Sequence, residues 1–140
     1  MINSIHHIGI ITNNPQELIR FYTEKIGFKK EATKIVPETL MRDIFNISSP
    51  CKLTKLKYGQ VAIEIISPQD CKLSQKESSI KGYNHWSLGV ADKKAFCQEL
   101  IKRDVPVMNI ENKGRFVCFI KDPDENLIEI YEVREGIQND

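Results

Sequence analysis

The chain has 140 residues, 41% hydrophobic and 28% charged, with 20 basic and 19 acidic residues and a net charge of +1. That balance excludes a disordered chain and argues against nucleic-acid binding, which usually needs a basic face. No apolar run reaches membrane-spanning length, and the opening MINSIHHIGI carries neither the basic nor the apolar part of a signal peptide.

One domain fits this length. Folding would leave about 7,400 Å² exposed, against about 23,000 Å² for the unfolded chain, so a core needs no staples. The four cysteines, at 51, 71, 97 and 118, form no C-x-x-C, which removes the thiolate zinc frameworks and predicts reduced thiols in a cytoplasmic protein.

The β-rich run Ile5–Ile11 opens the chain. A helix is predicted from Asn14 to Ile26, with Asn14 as N-cap, Pro15 at the first position and Glu17 completing a capping-box-like spacing. Leu18, Phe21, Tyr22 and Ile26 carry its apolar period, and Gly27 stops it. A weaker strand spans Ala32–Val36. Pro37–Ile47, with Leu40, Met41, Ile44 and Phe45, suits a short amphipathic helix that covers core rather than substrate. A hairpin follows: Leu53–Lys57, a turn at Tyr58-Gly59-Gln60, then Val61–Ile66. Gln69–Gly82 is polar and reads as a linker.

The pattern then repeats. Tyr83–Val90 is a strand, Asp92 caps a helix over Lys93–Asp104, and Val107–Ile110 is a weak strand. Phe116–Lys121 and Leu127–Tyr131 flank a turn at 122–126. The chain is thus expected to be α+β, a single domain of two βαβββ modules, about 4–68 and 83–134, joined by the linker 69–82.

Polar groups inside these strands point to chemistry. Residues two apart in a strand share a face. His7 shares one with Gly9 and Ile11, His85 with Ser87, Glu64 with Ala62 and Ile66, and Glu129 with Leu127 and Tyr131. An unpartnered buried carboxylate costs several kcal/mol. Two such glutamates at matching positions, each with a histidine from the same repeat, suit a divalent cation: Zn, Ni, Co, Mn or Fe. His6 and Glu132 read as solvated residues, as do Arg42 and Arg115.

Three segments resemble the vicinal oxygen chelate superfamily, which includes glyoxalase I. Ile5-His6-His7-Ile8-Gly9-Ile10, followed by Phe21–Phe28, resembles its opening "HIGI…FY…LGF" run. Tyr83-Asn84-His85-Trp86-Ser87-Leu88 resembles the second-module opening, and Phe119–Ile130 resembles the "F-x-x-DPDGN-x-IEL" ending. The resemblance implies paired βαβββ modules, each half of an open barrel around one divalent metal, with ligands at His7, Glu64, His85 and Glu129. Glu125 stands where the family turn has glycine. Ile11 and Thr12 stand where glyoxalase I has an arginine for glutathione, so glutathione dependence is left open.

The implied activity is that of a metal-dependent lyase or isomerase. It would remove a proton next to the carbonyl of a small molecule through a metal-stabilised enediolate, with Glu129 or Glu64 as base. Alternatives are an acyl-CoA epimerase like methylmalonyl-CoA epimerase, an extradiol dioxygenase, and a non-catalytic binding protein of the antibiotic-resistance type. The expected assembly is a cytoplasmic homodimer with neither nucleic acid nor membrane as partner.

Overall fold

The computed structural model describes residues 1–2, 4–74 and 82–134. Its chain divides into two units, Met1–Glu77 and Ser78–Asp140, each built around one four-stranded mixed sheet. The fold is α+β. No described helix is long and apolar enough to cross a membrane.

The first unit runs β1 (Ile8–Ile11), α1 (Pro15–Arg20), β2 (Lys29–Val36), α2 (Glu38–Phe45), β3 (Cys51–Tyr58) and β4 (Val61–Pro68). Its sheet order is β1-β4-β3-β2, with β1 parallel to β4 and the other pairs antiparallel. One face packs on α1 and the turn after it. Leu18, Tyr22, Leu56, Ile63 and Ile65 are buried there, and Tyr22 meets Phe28 edge-on at a 6.0 Å centroid distance.

Two local expectations for this unit are corrected. The Asn14 side chain caps nothing; instead the Thr12 hydroxyl accepts from the Asn14 N–H at 2.9 Å, so the turn is fixed one step earlier. The helix also does not run regularly to Ile26. From Phe21 it widens into π-helical geometry, and the Thr23 hydroxyl donates back to the Ile19 carbonyl at 2.8 Å. Gly27 then ends it at φ 106°, a left-handed conformation suited to glycine, while its N–H and that of Phe28 both donate to the Tyr22 carbonyl.

The strand β2 begins three residues earlier than its apolar pattern predicts. Lys29 and Lys30 extend the ladder with β3 up to a bulge before Ala32. The other face of the sheet is closed at one end by α2. Met41 and Ile47 pack there with Cys51 and Ile66, and with the partly buried Val36 and Leu53. The amphipathic segment therefore covers core through Met41, whereas Leu40, Ile44 and Phe45 stay exposed. Of the expected linker, the start is tied to this unit: Asn13 and the backbone of Leu73 exchange hydrogen bonds of 2.8 and 2.9 Å. Its residues 75–81 lie outside the described residues.

The second unit runs β5 (His85–Val90), α3 (Lys93–Lys102), β6 (Met108–Asn112), β7 (Arg115–Lys121) and β8 (Leu127–Glu132). Its order, β5-β8-β7-β6, repeats that of the first, again with the opening strand parallel to the last. Asp92 caps α3 as expected, its Oδ1 accepting from the Ala95 N–H at 2.9 Å. Ile120, Ile128, Ile130 and Leu100 are fully buried.

The turn from β7 to β8 is organised by Asp122. Its Oδ1 accepts from the N–H groups of Asp124 and Asn126, both at 2.9 Å. Glu125 sits in that turn at φ 67°, where an L side chain costs about 1–2 kcal/mol. Its ion pair to Lys121, at 3.9 Å, joins two exposed side chains and adds little. Glu125→Gly is therefore expected to raise stability by about 0.5–1 kcal/mol, read as a higher urea midpoint at unchanged slope.

Candidate functional site

The two repeats place their His and Glu residues by one rule. Parallel pairing sets Gly9 opposite Glu64 and Ser87 opposite Glu129. In each unit the histidine stands two residues before the residue facing the glutamate, so it shares that face. The result is two close pairs. His7 Nε2 lies 3.3 Å from Glu64 Oε2, and His85 Nε2 lies 3.4 Å from Glu129 Oε2. A Cβ at Gly9 would meet nothing within 4 Å, so the strand leaves space beside the first pair.

The other ring nitrogens are engaged by the preceding residue. His85 Nδ1 lies 2.8 Å from Asn84 Oδ1, and His7 Nδ1 lies 2.9 Å from His6 Nδ1. An amide oxygen only accepts, so His85 donates from Nδ1. In the neutral ring its Nε2 then carries a lone pair aimed at a carboxylate oxygen. Two acceptors facing each other need a positive charge near both.

The spacings say more. They exceed the 2.7–2.9 Å of a strong charge-assisted N–H···O bond. Two donors about 2.0–2.2 Å from a shared ion, at the tetrahedral angle, stand about 3.3–3.6 Å apart. The donor chemistry of each pair thus fits a divalent metal. Among the described residues no group of three or more His, Cys, Asp or Glu side chains gathers to hold an ion. What the structure brings together is His7 with Glu64 and His85 with Glu129.

The flanks of the two glutamates differ. Lys55 on β3 is the register partner of Glu64, whereas Phe119 on β7 is the partner of Glu129. The Phe119 ring meets His85 edge-on at 5.3 Å. On the same face, Met108 pairs with Phe119 and Ile110 with Val117, leaving an exposed apolar surface. The Ser87 hydroxyl donates to the Glu129 carbonyl at 3.3 Å, fixing the backbone there.

Two residues set aside in the sequence have roles. His6 touches His7, and Glu132 Oε2 accepts from the Lys93 N–H at 3.1 Å, at the start of α3. Asn84 was missed. The signal for both His6 and Asn84 is their place directly before a histidine that opens each repeat. Arg42 pairs with Glu38 on α2 at 2.6 Å, and Arg115 is exposed. Asn84→Ala is expected to weaken metal affinity about 10–100-fold with the fold intact, read by titration with Co(II). An unchanged affinity would remove Asn84 from the site.

The family model described as Glyoxalase/Bleomycin resistance protein/Dioxygenase superfamily matches residues 4–130. The uncharacterized protein YwkD of Bacillus subtilis (strain 168) is 27% identical over 135 residues, covering 94% of this chain and 98% of its own length. The structure of the trypanothione-dependent glyoxalase I of Leishmania major is similar at a TM-score of 0.69 and 26% identity, over 94% of this chain and 87% of that one. FosX, a fosfomycin resistance protein of Listeria monocytogenes in complex with Mn(II) and 1S,2S-dihydroxypropylphosphonic acid, is similar at 0.67 and 17% identity, over 96% of each chain.

Proposed function

Because the chain belongs to the Glyoxalase/Bleomycin resistance protein/Dioxygenase superfamily, we propose that it is a metal-dependent enzyme of the glyoxalase type. It removes a proton next to the carbonyl of a small substrate and returns it elsewhere, as a lyase or isomerase. The observation that carries this reading is the repeated His–Glu pair, at 3.3 Å in one unit and 3.4 Å in the other.

A pair alone offers two donors, fewer than a divalent ion usually takes from protein. His7, Glu64, His85 and Glu129 together offer four, and two carboxylates with two neutral imidazoles balance a double positive charge. The reading assigns all four to one ion: Ni, Zn, Co, Mn or Fe. It includes a cytoplasmic homodimer.

When bound, that ion supplies stabilisation of the negative charge that develops on the substrate oxygen as the proton leaves. The chain's own residues do the rest. Asn84 and His6 hold the rings so that Nε2 faces the glutamates. Glu64, whose register partner across the ladder is Lys55, is assigned as a ligand. Glu129 has Phe119 in the equivalent place and is assigned as the carboxylate that takes and returns the proton.

The test is proton exchange. The metal-loaded protein is incubated in D2O with the hemithioacetal of methylglyoxal and a low-molecular-weight thiol, and separately with methylmalonyl-CoA. Loss of the proton next to the carbonyl, followed by NMR, supports the reading, and the compound that exchanges decides between glyoxalase-type and epimerase-type chemistry. The exposed Met108, Ile110 and Val117 beside Phe119 favour a second reading, a protein that binds an apolar ligand without reaction. Saturable binding with no exchange in any carbonyl compound would establish that one instead.

A further inference from the structure

The face of the first sheet that carries Glu64 is cationic. Reading across the ladder, Glu64 is opposite Lys55, Ala62 is opposite Lys57, and Lys57 is opposite Lys29. One step along, Ile66 is opposite Leu53, and Leu53 is opposite Lys34. Register partners share a face, so four lysines stand on the side of His7 and Glu64.

Strand β2 is an edge, and lysines on an edge guard against unwanted pairing. That reason does not reach β3, which is hydrogen-bonded on both sides. Lys55 and Lys57 therefore need another. Like charges directly opposite each other destabilise a ladder, and Lys57 faces Lys29. Among the described residues the one carboxylate within ion-pairing distance of the four is Glu31, 3.9 Å from Lys55. The Lys55 side chain is also only 26% exposed. At the far end the same face is closed by α2 through Met41 and Ile47.

We propose that Lys55 and Lys57, with Lys29 and Lys34 beside them, bind the anionic group of a small substrate, a carboxylate or a phosphate. Lys55 and Lys57 stand on β3, next to the strand β4 that carries Glu64, so an anion there is held alongside the first His–Glu pair. Calling the bound molecule a substrate rests on the proposed metal-dependent activity. The anion site itself needs no metal, so the two claims fail separately.

The test uses the full chain freed of metal, at low ionic strength. Malonate and inorganic phosphate are titrated while amide chemical shifts are followed, with acetamide as the neutral control. The expected result is a saturable change on β3 and β4, absent with acetamide. Affinity should fall at least ten-fold in Lys55→Gln and in Lys57→Gln, and be kept in Lys55→Arg. Lys30→Gln should behave as the unaltered protein, since Lys30 is opposite Leu56 on the other face. Lys57 is exposed, so its variant keeps the test decisive should Lys55→Gln unfold. Equal affinity in all variants, or shifts spread over lysines of both faces, would overturn the proposal. The preference between malonate and phosphate distinguishes a carboxylate substrate from a phosphorylated one.

Discussion

Glu129→Gln is expected to lower kcat by about 10²–10⁴-fold, the usual contribution of a positioned proton-transfer group, while the metal stays bound. Glutamine keeps the shape of the side chain and a carbonyl oxygen that can face the ion. It cannot take a proton. Glu64→Gln is expected to cost less in kcat, because Lys55 lies across the ladder from Glu64 and Phe119 across from Glu129. Steady-state kinetics with the compound that exchanges its proton, alongside metal analysis of both variants, checks this. A larger loss in Glu64→Gln would reverse the two roles and remove the argument from their neighbours.

His85→Ala is expected to weaken metal affinity by more than about 100-fold. Removal of a residue that only orients a ligand costs 10–100-fold, so removal of the ligand exceeds that range. His7→Ala is expected to release the same ion to the same degree, although it belongs to the other unit. Both side chains are more than a third exposed, so neither substitution opens a cavity in a core. Circular dichroism should be unchanged while Co(II) binding is lost. Full binding in His7→Ala would take the first pair out of the site.

The strands and helices that carry an apolar period were legible in the sequence, as were the four polar residues that repeat. His7, Glu64, His85 and Glu129 stood out because a His and a Glu recur at equivalent places in the two repeats, a signal that survives ignorance of the pairing. Their partners did not stand out, for physical reasons. Asn84 and His6 act through hydrogen bonds one residue away, and nothing in composition separates them from solvated residues. Lys55 becomes visible only when β3 is paired with β4, since sharing a face across strands depends on register. The start of β2 was hidden because an exposed edge strand has no apolar alternation to read. The cap at Asn14 failed because Thr12 organises that turn.

The central claim is that two His–Glu pairs make one metal site. Elemental analysis of the protein, purified without chelator and then reconstituted with Ni, Co, Zn or Mn, tests it most directly. The account predicts about one divalent ion per chain. Two ions per chain, one for each pair, would contradict it, and so would none after reconstitution.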